Sequence, residues 1–308
     1  MTHTKELTSA QKWEQATLAD NFIFCKVMTA NPDLCKALLE MLLGIKIDRI
    51  EQPLAEHSLK TDYGSKGIRF DVYVKDGTGR CFDIEVQTTN RKILARRARY
   101  YQGMMDIDSL ERGTDYGDLK DGYVIFLCLD DPFGHGLPVY TFENVCKEDR
   151  TVSLGDGAHK IFYNAAKHAI MPSETLRSFF RFLAGTADGS ALSGRLAAMV
   201  GHAKTNAQWR QQFMTWEQEM KEQVKERAEV LALELAEEIA QERAEELVQE
   251  RAEKMAQERA EEIVSQKDIK TARNFLAMGI SLEKVAQGTG LPLAQVERLR
   301  QESASVKA

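Results

Sequence analysis

The stretch from Arg69 to Gln87, RFDVYVKDGTGRCFDIEVQ, constrains the fold more than any other part of the chain. Two short runs rich in Val, Phe and Ile flank Asp76-Gly77-Thr78-Gly79, the pattern of a β-hairpin closed by a glycine-containing turn. Side chains alternate along a strand. In the second run Phe82, Ile84 and Val86 share one face, while Cys81, Asp83, Glu85 and Gln87 share the other. The apolar set is the expected core face. Two carboxylates and an amide then stand in a row on the outer face. In the first run Val72 and Val74 join the core and Asp71 falls on the polar side with Tyr73. A hairpin brings these polar faces together, so that Asp71 and Glu85 can share a divalent cation.

The segments around the hairpin are read from their periodicity. A short helix is expected from Asp20 to Met28, stopped by Asn31-Pro32, and a second from Asp33 to Leu43, stopped at Gly44. Asp20 suits the cap or first turn of the first helix. Ile45 to Ala55 reads as an extended segment, with His57 and Lys60 in a polar connection before the hairpin. Thr88-Thr89-Asn90 can cap a helix from Arg91 to Asp108. There Arg96 meets Tyr100, and Arg97 meets Tyr101, at i, i+4 spacing. Ile93, Leu94, Ala98, Met104 and Met105 form its expected core stripe. The continuous apolar run Gly122 to Leu129 reads as a strand buried on both faces. Pro138 to Val145 and Lys160 to Tyr163 read as further strands, and Ser173 caps a helix ending at Leu183.

An Asp on one strand, followed across a hairpin by Glu-x-Gln, resembles the metal-binding core of the PD-(D/E)XK nuclease superfamily. Phe82 to Gln87 together with Arg96-Arg97-Ala98-Arg99-Tyr100-Tyr101 is similar to its recombination-promoting nuclease, or transposase-like, family. The resemblance runs from about Asp20 to Ala184. It implies an α/β, restriction-endonuclease-like core, a central mixed sheet flanked by helices, with a long helical C-terminal extension. It also implies a metal-dependent DNA endonuclease linked to recombination or mobile elements, using Mg2+ or Mn2+. Asp71, Glu85 and Gln87 would be catalytic; Asp71, Glu85 and Asp83 would serve the metal, with the Val86 carbonyl completing the site. Asp20 matches the acid that many members place on the first helix. Arg96, Arg97, Tyr100 and Tyr101 would meet nucleic acid, Arg because its planar fork suits phosphate. The superfamily pattern has Lys where Gln87 stands; Glu-x-Gln is common in the resembled family, and the substitution leaves open a slow enzyme or one whose cation comes from Arg96, Arg97 or Lys75. Two other readings stay open: a catalytically silent DNA-binding or assembly protein, and an RNA nuclease.

Charge fits a nucleic-acid partner only locally. The chain of 308 residues has a net charge of -6, but Glu217 to Glu262 holds 16 acidic and 7 basic residues. The remainder is slightly basic, and Arg91 to Arg99 carries five basic residues and no acid. The five cysteines form no Cys-x-x-Cys pair, which argues against a disulfide framework or a zinc site and for a reducing, cytoplasmic setting. No apolar run is long enough to span a bilayer. Gly189, Gly194 and Gly201 are read as joints. From Leu233 to Val264 the chain repeats every eight residues, with Ile239, Leu247, Met255 and Ile263 in one repeat position. At ~3.6 residues per turn this stripe drifts around a helix instead of holding a heptad seam. Three domains are expected: a nuclease-like domain over 1–200, a charged helical segment over 201–265, and a tail over 266–308 that resembles the helix-turn-helix-like tail common in the family, with a packing or dimerisation module as the alternative. Self-association through the C-terminal helices is a further expectation.

Overall fold

The structure is a computed structural model that describes residues 7–59, 67–88, 93–186 and 190–305. It has two compact units, Met1–Met220 and Lys221–Ala308.

The first unit opens with three helices, α1 (Ser9–Gln15), α2 (Asn21–Ala30) and α3 (Pro32–Leu43). Asp20 caps α2 by accepting from the Ile23 N–H. Asn31 and Pro32 end α2 and begin α3, since proline tolerates the first helical turn and not the interior. Gly44 ends α3 in the left-handed conformation (φ 65°) that a side chain would strain. Strands β1 (Leu54–Leu59), β2 (Ile68–Lys75) and β3 (Cys81–Gln87) follow, then α4 (Leu94–Ser109), β4 (Gly122–Cys128), β5 (Val139–Phe142), β6 (Ala158–Asn164), α5 (Glu174–Leu183) and α6 (Ala191–Thr205). The strands form one mixed sheet in the order β1-β2-β3-β4-β6-β5. The β2–β3 hairpin is antiparallel with Tyr73 opposite Asp83, and β3, β4 and β6 run parallel. The turn is tied by the Asp76 carboxylate, which accepts from the Thr78 and Arg80 backbone N–H groups and from both of their side chains.

Both faces of the sheet are buried. Val72, Val74, Phe82 and Ile84 pack with α2, α3 and α5. Tyr73, Cys81, Val124, Phe126 and Phe162 pack under Leu94, Ala98, Tyr101, Met104 and Met105 of α4. The face expected to point outward is therefore a second core. The cause is the parallel β3–β4 connection, whose crossover helix has to lie on one face of the sheet. His57 lies within β1, not in a polar connection, and stacks on Tyr73 at 5.2 Å. Ile93 is 55% exposed and stands outside the α4 stripe, where Tyr101 takes part instead. Gly194 and Gly201 lie inside α6 and are not joints. Lys60, the Thr89-Asn90 cap, Arg91, Lys92 and Gly189 lie outside the described residues.

Helix α7 (Ala207–Ala277) starts in the first unit. Its Phe213 is buried against Trp13 at 5.2 Å and Phe22 at 5.5 Å. Glu217 is buried and ion-paired with Lys12. In the second unit Ile239, Leu247, Met255 and Ile263 are exposed. Helices α8 (Leu282–Thr289) and α9 (Leu293–Ser305) pack with the end of α7 around Ala272, Val285, Val296 and Leu299. No helix among the described residues is long and apolar enough to cross a membrane.

Candidate active site

Three carboxylates meet where β2 and β3 face each other. Glu85 is 1% exposed, Asp83 0% and Asp71 9%. Asp71 and Glu85 replace part of the strand ladder. The Asp71 backbone N–H donates to Glu85 Oε1 at 2.9 Å, and the Val86 N–H donates to Asp71 Oδ2 at 3.1 Å. Each carboxylate thus takes the opposite strand's amide and holds the other in place. The β1 side is distorted at the same level. Glu56 has φ 52°, rare for a residue with a side chain. It sits between the paired residues Ala55↔Val72 and His57↔Phe70, where the ladder skips Glu56 and Asp71.

The cation comes from α4. Arg97 Nη2 pairs with Glu85 Oε2, and its Nη1 donates to Gln87 Oε1 at 3.2 Å. Its Nε donates to the Tyr101 hydroxyl at 2.9 Å, and the guanidinium lies over the Phe126 ring at 5.4 Å. Of the two Arg–Tyr rows on α4, the Arg97/Tyr101 row faces the carboxylates. Arg96 and Tyr100 are exposed. Lys75 pairs with Asp108 at 3.1 Å.

One site residue escaped the sequence reading. Asn21, in the first turn of α2, donates its side-chain N–H to Asp71 Oδ1. The neighbouring Asp20 spends its carboxylate on the helix cap. A polar residue opening a mostly apolar helix was the only signal, and its partner lies 50 positions away.

Electrostatics at this cluster are strained. Burial, then repulsion from Asp71, pushes the Glu85 carboxyl up to about 8, with Arg97 acting in the opposite direction. Burial, then the charges of Glu85 and Asp71, raises Asp83 well above the carboxylate range. Burial also raises Asp71, opposed by the Val86 N–H and Asn21. Neither Asp83 oxygen has a hydrogen-bond partner among the described residues. Buried, crowded carboxylates of this kind concentrate at functional sites.

Carboxylate oxygen is the ligand a hard divalent cation takes, and Asp71 and Glu85 supply it side by side across the hairpin. Among the described residues no three His, Cys, Asp or Glu side chains stand at metal-holding spacing.

The match to the family model for the PD-(D/E)XK nuclease family transposase covers residues 21–145. This segment is similar to PD-(D/E)XK nuclease family transposase domains. It spans Asn21, Asp71, Asp83, Glu85, Gln87 and Arg97, the whole cluster just described. The mixed sheet flanked by helices agrees with the restriction-endonuclease-like fold of such domains. Comparisons with curated proteins and with solved structures return no match.

Proposed function

We propose that this chain is a divalent-metal-dependent DNA endonuclease that hydrolyses phosphodiester bonds. The observation that carries the reading is the cross-hairpin pair of Asp71 and Glu85, each held by the other strand's amide beside the Arg97 guanidinium. Asp71 and Glu85 would hold Mg2+ or Mn2+, with Asp83 behind them as a further acid. A divalent ion bound there supplies a lowered water pKa and charge neutralisation at phosphorus. Asn21 keeps Asp71 oriented. Arg97 supplies the positive charge that a neutral Gln87 does not, and its fork can transfer from Glu85 to a phosphate oxygen. Gln87 accepts from Arg97 and so aims the guanidinium. Arg96 and Tyr100 then serve as outer contacts to the backbone. Four of the five free cysteines are buried, which supports a cytoplasmic protein in this reading.

A second reading rests on the same ion pair. With Glu85 Oε1 on an amide and Oε2 on Arg97, the site is closed by its own cation, as a silent DNA-binding protein would have it. Purified protein assayed on supercoiled DNA, linear DNA and RNA, with Mg2+, with Mn2+ and with chelator, separates the readings. Metal-dependent nicking of DNA supports the endonuclease. Retained binding without cleavage supports the silent form, and cleavage confined to RNA reassigns the substrate.

A further inference from the structure

A second feature of the α4 face has no part in that chemistry. Beside α4 and the β5–β6 edge is a cavity of about 450 Å³. Its walls include Phe133, Phe142 and Phe162, with Ala95 and Ala98 of α4 on one side and Lys160 at hand. Phe133 contacts Phe142 at 5.2 Å and Phe162 at 5.0 Å. The loop that carries Phe133 is built firmly. Asp131 accepts from the backbone N–H groups of Phe133, Gly134 and Gly136 and from the Tyr140 hydroxyl. Phe142 is nonetheless 44% exposed, a large aromatic ring left facing solvent.

The sheet register fixes where this cavity stands. Glu85 is opposite Phe126, Phe126 is opposite Phe162, and Phe162 is opposite Tyr140. Adjacent strands are ~4.8 Å apart, so Glu85 and Phe162 are separated by roughly 10 Å across two strand spacings. Arg97 lies over Phe126, the residue between them, and Ala98 lines the cavity next along the same helix. A phosphate at Arg97 therefore has the aromatic cavity within one nucleotide's reach. Lys160 in the cavity wall adds positive charge to that of Arg97, which complements a polyanion. The aromatic walls suit a flat π-face.

We propose that this cavity holds one unpaired base of a nucleic-acid strand whose backbone crosses Arg97. The proposal rests on the nuclease reading for the identity of the polyanion and narrows the substrate to single-stranded or locally opened nucleic acid. In an intact duplex the base faces are stacked and paired, and no ring can enter without paying to leave the stack. Base–aromatic stacking is worth about 1–3 kcal/mol per base and tolerates any sequence.

The test uses the full chain in chelator, so that no cleavage interferes. Short single strands of DNA and of RNA carry a fluorescent adenine analogue, and a blunt duplex of the same sequence serves as the control. Wild type is expected to bind the single strand more tightly than the duplex and to quench the analogue. Quenching with either sugar supports the cavity. Ala95→Trp fills the cavity from an exposed helix position, and Phe142→Ala removes an exposed wall. Each is expected to weaken single-strand binding by roughly tenfold, within the range that one stacked base is worth, to abolish quenching, and to leave duplex binding and the circular dichroism unchanged. Equal binding of single strand and duplex by wild type, or equal weakening of both by the variants, overturns the proposal. Cleavage in Mg2+ is scored separately. A wild type that cleaves but never quenches keeps the nuclease and loses the cavity. A wild type that quenches but never cleaves keeps the cavity and loses hydrolysis.

Discussion

The Trp216 indole N–H donates to Glu56 Oε1 at 3.0 Å. Glu56 is the residue with φ 52° that stands across from Asp71, and Arg69 also reaches it, at 3.6 Å. The first turns of α7 thus brace the edge of the site from outside the sequence of the matched domain. Trp216→Phe removes the donor and keeps a smaller aromatic ring beside Phe22 and Phe213. It should lower the urea midpoint by the equivalent of about 1 kcal/mol, the lower end for a bond to a charged, partly exposed acceptor. An unchanged midpoint would show that the bond contributes nothing.

Where the chain is cut should matter sharply. A chain ending after Met220 keeps Phe213, Trp216 and Glu217, and with them the Trp13–Phe22–Phe213 cluster and the Lys12 ion pair. It should melt cooperatively. A chain ending after Thr205 uncovers those rings and should aggregate or melt much lower. Equal melting of both, followed by differential scanning calorimetry, would show that the start of α7 is dispensable.

The metal-free protein should lose stability as pH rises. Glu85 titrates near 8 when folded, and Asp83 and Asp71 are also raised. Raised carboxyls bind more protons folded than unfolded, so their contribution is complete near the ordinary carboxylate range and is lost toward pH 8. Melting temperature in chelator should therefore fall between about pH 5 and 8. Glu85→Gln should flatten that slope, and added Mg2+ should oppose it. A slope unaffected by Glu85→Gln would locate the titration elsewhere.

Much of this arrangement was legible in the sequence. The hairpin followed from strict alternation around Asp76-Gly77-Thr78-Gly79, and β4 from its unbroken apolar run. Asp71 beside Glu85 followed from the hairpin alone. The burial of Asp83, Glu85 and Gln87 was missed because alternation marks two faces without saying what covers the second. The parallel placement of β4 decides that, and pairing between distant strands is not written in local periodicity. The i, i+4 rows were legible on α4, but which row faces the sheet depends on the rotation of the helix, set by Leu94, Ala98, Met104 and Met105. Asn21 meets Asp71 only after α2 has docked, a long-range contact with no local mark.

Arg97 should separate binding from assembly. Arg97→Gln keeps a donor but no charge. It should weaken DNA binding and reduce its salt dependence by about one phosphate contact. Since Glu85 then loses its counter-charge, Mg2+ binding should strengthen in a thermal-shift titration. Weaker Mg2+ binding instead would mean that Arg97 organises the carboxylates more than it competes for them.

In the proposed function Glu85 and Asp71 form a hydrolytic metal site. Glu85→Gln preserves size and leaves the carbonyl to accept the Asp71 N–H. Supercoiled-plasmid nicking in Mg2+ by the folded variant should fall by at least roughly two orders of magnitude, since even outer partners of a metal ligand are worth about 10–100-fold. DNA binding in chelator should persist. Metal-dependent nicking by Glu85→Gln at the wild-type rate would contradict the account.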